Sequence, residues 1–223
     1  MTDSWKAVLT GDIVASTKLI PERRKNLYEI FIELSKKLQQ KYPLDIKYRI
    51  SNFRGDGWQL IVEHPEKSLE ISLYIRTFIR FTFKEEKLDS RIAIGIGSTN
   101  FIPDENISAG DGPAYTASGR LLESLSSDRM ILGFAENGEQ SIEKQGAQSL
   151  ISLIDFIVTS WGASQAQAAF WAMQDYKQTE IAQKWIPRPI KQTSVSRSLK
   201  SAGWEHIKQG KDYFEKIVKS LEP

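Results

Sequence analysis

Two carboxylates carry the clearest chemical suggestion in this chain. Asp12 closes the apolar stretch Trp5-Lys6-Ala7-Val8-Leu9-Thr10-Gly11, and Asp56 sits in the corner Gly55-Asp56-Gly57. An acid at the end of a buried strand must find a cation, a backbone amide or water, because burying it bare is costly. Two acids at one spot repel unless a cation lies between them. The chain has no cysteine and 2 histidines, so hard oxygen ligands point to Mg²⁺ or Mn²⁺. A carboxylate pair holding such an ion is the usual device for gripping a nucleoside triphosphate and activating an attacking oxygen. The amides of Ile13, Val14, Ser16 and Thr17 follow Asp12 toward a helix start, where they would face the phosphates.

The acids meet only if the elements around them bring the strand ends together. Pro21 to Tyr42 has helical spacing, with Leu27, Ile30, Phe31, Leu34 and Leu38 on one face. Pro21 suits the first turn and Pro43 ends the segment. Asp45 to Asn52 alternates as a strand, and Trp58 to Val62 returns from the glycine corner as a hairpin. Lys67 to Phe83 is a second amphipathic helix, and Arg91 to Gly97 a further buried strand. Gly95 and Gly97, two apart, imply that another backbone or a ligand comes close to that strand. The order strand, helix, strand, strand, helix, strand is the ferredoxin-like α+β arrangement, one antiparallel sheet with helices on one face. Its first and third strands are central neighbours, so Asp12 and Asp56 converge at one edge.

Beyond a polar loop at Thr99 to Gly112, the pattern predicts a helix to about Leu125, a strand at Arg129 to Phe134 and a helix at Gln145 to Trp161. From Gly162 the strands stop, and helices are expected at Ser164 to Tyr176, Thr179 to Trp185, Thr193 to Ala202 and Glu205 to Leu221. The break divides the chain into a sheet domain at 1–161 and a small all-α domain at 162–223.

Composition narrows the classes. No run of about 18 apolar residues exists, which excludes a membrane-spanning helix. The start, Met1-Thr2-Asp3-Ser4-Trp5, lacks a signal-peptide pattern, so a cytoplasmic protein is expected. Without cysteine there is no disulfide, thiolate zinc site or cysteine nucleophile. Net charge is +2, and from Gly162 onward 10 Lys and Arg face 6 Asp and Glu, about +4, which permits a nucleic-acid-facing tail.

Gln178 to Lys184 followed by Gln192 to Lys200 resembles a helix-turn-helix, with a connection through Ile186-Pro187-Arg188-Pro189 longer than the tight turn of simple members. Val195 and Leu199 would face the core. Gln192, Thr193, Ser194, Arg197 and Lys200 would point outward, the types that read base edges and grip phosphate in DNA. The alternative is a helical module used for packing or dimerisation.

Thr10-Gly11-Asp12-Ile13-Val14-Ala15-Ser16-Thr17 resembles the first metal-binding motif of class III nucleotidyl cyclases. Gly55-Asp56-Gly57-Trp58 resembles the second, and Arg91 to Gly97 looks like their Arg-Ile-Gly-Ile strand. The nearer likeness is to the SatD family, through Gly11-Asp12-Ile13-Val14-Ala15-Ser16, Gly55-Asp56-Gly57-Trp58-Gln59, Asp111-Gly112-Pro113-Ala114-Tyr115 and a C-terminal helix-turn-helix.

This resemblance implies a nucleotidyl cyclase-like domain with metal at Asp12 and Asp56, and it puts Arg120 where cyclases stabilise charge on the phosphates. Asn52 stands at the base-reading lysine position and Thr116 at the ribose-orienting asparagine position. Cyclase sites are completed across a homodimer, which the likeness carries over. Two functions follow from it. One is a regulator that binds a Mg-nucleotide and DNA; the other is an active cyclase in which Arg120 stabilises the leaving pyrophosphate. Arg120 as an ordinary helix-surface ion pair is the plain alternative, and Arg54 beside Gly55 is a further phosphate candidate.

Overall fold

A computed structural model describes residues 5–19, 21–53, 55–126, 128–135 and 141–221, so Arg54 and the first four residues lie outside it. Five strands and eight α-helices alternate through the described residues. In chain order they are β1 (Lys6–Val14), α1 (Pro21–Lys41), β2 (Ser51–Phe53), β3 (Gly57–Val62), α2 (Ser68–Thr82), β4 (Asp89–Gly97), α3 (Pro113–Ser124) and β5 (Met130–Phe134). Helices α4 (Ile142–Thr159), α5 (Ala163–Ala172), α6 (Gln178–Gln183), α7 (Gln192–Ser201) and α8 (Trp204–Leu221) follow.

The sheet order is β2-β3-β1-β4-β5. β1 lies antiparallel between β3 and β4, in register Gly11↔Trp58 and Asp12↔Arg91. Helices cover both faces, which is why β1 and β3 read as nearly continuous apolar runs. On one face Leu9, Leu60 and Ile94 join Phe31 of α1 and Phe78 of α2 in the main core. On the other, Val8 and Ile61 pack with Ala114 and Tyr115 of α3 in a second, smaller cluster.

Two sequence expectations are corrected here. The sheet is mixed, because β5 pairs parallel to β4 from Ile92↔Met130 to Ile96↔Phe134. The connection through α3 is long enough to return the chain in the same direction. Nor do the helices keep to one face, since α3 covers the side away from α1 and α2. Gly95 makes that seat possible: a Cβ there would lie 2.3 Å from the Ala114 carbonyl oxygen and 2.6 Å from the Ser118 nitrogen.

The strand expected from Asp45 shrinks to Ser51–Phe53. Upstream, side chains of α1 take the backbone groups that a ladder would need: Gln39 Nε2 donates to the Lys47 carbonyl at 3.0 Å and Ile50 N–H to Ser35 Oγ at 3.0 Å. Ile46 and Ile50 still reach the main core, so the alternation was read correctly as burial and wrongly as pairing.

The apolar core continues past Gly162. Phe170 of α5 lies 5.2 Å from Tyr74 and 5.6 Å from Phe78, ring centre to ring centre. α8 crosses α4 where Gly210 admits the Ile154 side chain. Beneath these contacts is a buried ionic knot. Arg76, 0 % exposed, donates to Asp89 through Nε at 3.0 Å and Nη2 at 2.6 Å, and to Asp155 through Nη1 at 2.6 Å. Arg80 adds a 2.5 Å bond to Asp89 and another to the Trp161 carbonyl, while Asp155 also accepts the Arg129 N–H at 2.7 Å.

Burial alone would raise the Asp89 carboxyl, but Arg76, Arg80 and the Ser90 N–H outweigh it and hold it below the ordinary carboxylate range. A depressed carboxylate contributes stability that is complete above its unfolded pKa and lost as pH falls through the folded one. Asp89→Asn should lower the unfolding free energy at neutral pH by about 3–5 kcal/mol, the cost of removing one carboxylate from a buried ion pair, with Asp155 left as the only acid on Arg76 among the described residues. Urea titrations at pH 7 and in acid check this: the wild type should lose more stability on acidification than the variant.

Candidate nucleotide and metal site

The site is built at the end of β1. Gly11 allows the Trp58 indole to lie across the strand just before Asp12, since a Cβ there would be 2.5 Å from both that ring and the Arg91 carbonyl oxygen. Trp58 Nε1 donates to Ser90 Oγ at 3.0 Å, and Ser90 Oγ donates to the Asp12 carbonyl at 2.7 Å, fixing this end of the sheet. Asp12 then meets the residue opposite it in β4. Arg91 Nε donates to Asp12 Oδ1 at 2.9 Å, Nη2 donates to Oδ2, and Nη1 reaches the Leu125 carbonyl at 2.8 Å. The hydrogen bonds to Asp12 raise the guanidinium above its ordinary pKa, and the charge of Asp56 adds to the effect.

Asp56 arrives from the β2–β3 corner and accepts the Ser16 hydroxyl. Ser16 is aimed there because Ala15 leaves the strand in the left-handed region, at φ 64°, and Ser16–Lys18 make one 3₁₀ turn. That conformation costs a non-glycine residue on the order of 1 kcal/mol.

A cavity of about 230 Å³ opens beside this contact, lined by Ser16, Thr17, Leu27, Tyr28, Asn52, Gly55 and Asp56. Four residues singled out in the sequence, Ser16, Thr17, Asn52 and Asp56, therefore share one wall. Ile13 and Val14 do not line it; they continue β1 opposite Ser90 and Asp89, with Ile13 in the core. Thr116 and Arg120 stand exposed on α3 and line no part of the cavity. Among the described residues Arg120 enters no ion pair, so the plain helix-surface reading finds no partner there.

Three features were missed in the sequence. Arg91 stands out in the sequence only as part of a strand, although antiparallel pairing of β1 and β4 sets it opposite Asp12. Leu27 and Tyr28 supply an apolar wall, with Tyr28 62 % exposed at the mouth. Gln59, in the hairpin strand, donates to Thr10 Oγ1 at 3.0 Å, and Thr10 meets Ser118 Oγ at 2.8 Å, a buried polar line that fastens α3 to the sheet. The Asp-Gly-Pro-Ala-Tyr stretch is structural in the same sense. Tyr115 donates to the Ile107 carbonyl at 2.9 Å, and burial pushes its hydroxyl pKa up to about 12.

The donor set suits a hard divalent cation in kind: two carboxylates and a hydroxyl, with no sulfur or imidazole. Both oxygens of Asp12 are already engaged by Arg91, so Asp56 is the more available ligand. Among the described residues, no group of three or more His, Cys, Asp or Glu side chains comes together as a metal cluster. His64 pairs with Asp45 at 2.8 Å and His206 is exposed on α8.

At the other end of the chain, α6 and α7 pack together, with Ile190 N–H on the Ala182 carbonyl at 3.0 Å and Gln192 Nε2 on Gln178 Oε1 at 2.6 Å. Val195 and Leu199 are buried; Gln192, Thr193, Arg197 and Lys200 are exposed and Ser194 is half-buried. No described helix is long and apolar enough to cross a membrane.

The class is thus an α+β protein with a five-stranded sheet, a cavity lined by Asp56, and an Asp12–Arg91 ion pair at the end of the central strand that does not line the cavity. The sequence profile of the SatD family matches residues 6–213, and the chain belongs to that family. No curated protein matches it. Solved structures with partial likeness include the adenylyl cyclase CyaB from P. aeruginosa, 18% identical over 59% of this chain and 77% of that one, with a TM-score of 0.40. The guanylyl cyclase Cya2 is 14% identical over 57% and 74%, with a TM-score of 0.43. An adenylate/guanylate cyclase/hydrolase from Silicibacter pomeroyi is 19% identical over 57% and 74%, with a TM-score of 0.42.

Arg91→Ala should lower stability by about 1–2 kcal/mol, because it removes a two-point hydrogen-bonded ion pair that is only partly exposed. Chemical denaturation of the variant against wild type measures it, and a change within error would remove Arg91 as the organiser of this sheet end.

Proposed function

We propose that this protein binds a nucleoside triphosphate as its metal complex beside β1 and couples that binding to DNA through α6 and α7. The observation that carries the first half is the cavity of about 230 Å³ whose wall joins Ser16 and Thr17 to Asn52 and Asp56, next to the Asp12–Arg91 pair. In this reading Asp12 and Asp56 hold Mg²⁺ or Mn²⁺, which neutralises phosphate charge when bound. Ser16 and Thr17 present hydroxyl and backbone donors to the phosphates, and Arg91 supplies the cation that balances a second acid. Asn52 offers both a donor and an acceptor to a base, and the apolar wall of Leu27 and Tyr28 receives its ring. The part from 1 to 161 does this work, and the part from 162 to 223 carries the DNA-facing helices.

For the second half the support is distributional. The exposed side of α7 carries Arg197 and Lys200 beside Gln192 and Thr193, and its buried side is apolar. Such a helix suits phosphate contact together with base-edge contact.

An active cyclase is the second reading, and it calls on Arg120, which is exposed and enters no ion pair among the described residues. In this reading Arg120, on α3 with Thr116 one turn before it, would serve a nucleotide held by a second copy in a homodimer.

Thermal unfolding with each NTP in Mg²⁺ or Mn²⁺ tests the reading. A ligand at a hundred times its Kd adds about 2.7 kcal/mol, a rise of several degrees. Asp56→Asn should abolish the rise; no rise with any NTP would overturn nucleotide binding. Chromatography of the same mixtures decides the cyclase, since product formation that Arg120→Ala and Asp56→Asn both remove requires catalysis. DNA retention that falls steeply with salt, and falls further in Arg197→Ala with Lys200→Ala, is expected for the α7 surface. Salt-insensitive passage through a DNA column would reject that half alone.

A further inference from the structure

Helix α4 has an inner face that the fold uses and an outer face that it leaves uncovered. Ala147, Ile151, Ile154 and Val158 point into the main core. The opposite stripe runs Ile142, Gly146, Ser149, Leu153, Phe156 and Ser160, all exposed, with Ile142 at 84 %, Leu153 at 64 % and Phe156 at 80 %. The steps along it alternate between four residues and three, the spacing of a seam between paired helices. No charge falls on it. From Gln145 to Ser160 the only charged side chain is Asp155, which is buried on the inner side against Arg76. A surface helix ordinarily turns charged residues to water, and grouped exposed apolar side chains mark an interaction surface.

The order of sizes along the stripe says what covers it. When two identical helices pack antiparallel about a two-fold axis, residues equally far before and after the axis face one another. With the axis level with Ile151, the stripe closes on itself: Ile142 faces Ser160 of the second copy, Gly146 faces Phe156, and Ser149 faces Leu153. Each large side chain falls opposite a small one, the alternation by which packed layers interdigitate. Gly146 is the least expected member, because glycine inside a helix is unfavourable. A Cβ there would meet no neighbouring atom within 4 Å among the described residues, so its own chain does not require the gap. A phenylalanine arriving from a second copy does. Two-fold contact also brings the same patch of both copies together, where like charges would repel, and the stripe carries none.

We propose that α4 is the surface by which two copies of this chain pair, antiparallel about a two-fold axis at Ile151, with Phe156 of each seated over Gly146 of the other. The partner is a second copy because the large and small positions match only when the stripe meets itself in reverse. Six side chains from each copy make a small interface, so the dimer dissociates in the micromolar range. The seam is held from behind by Asp155, which accepts from Arg76 Nη1 at 2.6 Å. It shares no residue with the cavity beside Asp56, with Arg120 or with α7, so it stands apart from the readings above.

Sedimentation of the full chain over a range of concentrations tests it, with a monomer–dimer equilibrium expected. Phe156→Lys, at an exposed position, should weaken the dimer about a hundredfold, since the change counts twice, and leave the unfolding temperature of the dilute chain unchanged. Gly146→Leu separates this register from general stickiness. It adds apolar area and favours the helix, so an unspecific contact would tighten; filling the seat of Phe156, it should instead weaken the dimer about tenfold. The chain has no cysteine, so introduced ones report the pairing directly. Ser149→Cys mixed with Leu153→Cys should oxidise to a mixed disulfide identified by mass. Ser149→Cys mixed with Ser160→Cys should not, being offset by about 10 Å along the axis. A chain that stays monomeric to about 1 mM would overturn the proposal and leave the face to a different partner. So would a dimer that Phe156→Lys leaves intact or Gly146→Leu tightens, or a mixed disulfide formed equally in both mixtures.

Discussion

A guanidinium with no contact to solvent sits where the sheet, the helices behind it and the C-terminal helices meet. Arg76 comes from the middle of α2, Asp89 opens β4, Asp155 lies on α4 and Thr159 near its end. Such a group is tolerable only when every donor is met, since an unpaired buried cation is heavily penalised. The requirement fixes the position of three elements relative to one another more sharply than apolar contact alone could. Asp89 matters most, because the residues after it, Ser90 and Arg91, are those that hold the backbone and side chain of Asp12. The placement of Asp12 is thus tied to a buried base on α2, whose acid partner lies two residues before Arg91 in β4.

The same strand explains the character of the cavity beside Asp56. Asp12 does not look into open solvent as a lone acid; its charge is matched across the ladder by Arg91. Asp56 is held at the sheet end by the Ser16 hydroxyl and enters no ion pair among the described residues. An acid, an arginine and a hydroxyl within one small region form a polar surface that carries both signs of charge.

Much of this was legible in the sequence, for identifiable reasons. Helical spacing located α1, α2 and α8 because their apolar residues recur at three and four positions, and Gly95 announced a close backbone because no side chain fits under α3. Strand order set the ends of β1 and β3 side by side, which is where Ser16 meets Asp56, whereas Asn52 was expected there only through the family resemblance. What was not legible depended on partners distant in the chain. The direction of β5 is set by which face α3 crosses, and a local pattern does not encode that choice. The short β2 reflects competition from Ser35 and Gln39 for its neighbours' backbone groups. Arg91 was hidden because an arginine at the start of an apolar strand looks solvated until its cross-strand neighbour is known.

The bond from Trp161 Nε1 to the Ala202 carbonyl, 2.9 Å long and buried, ties the end of α7 to the residue that follows α4. With α5 wedged along α2 and Arg80 gripping the Trp161 carbonyl, α7 is mounted like the jaw of a caliper and not hung on a tether. Wherever two copies of the chain came to rest against each other, the separation and tilt of their two α7 helices would be dictated by the contact between the bodies. A graded adjustment of that spacing would then require repacking around Phe170, not the swing of a linker.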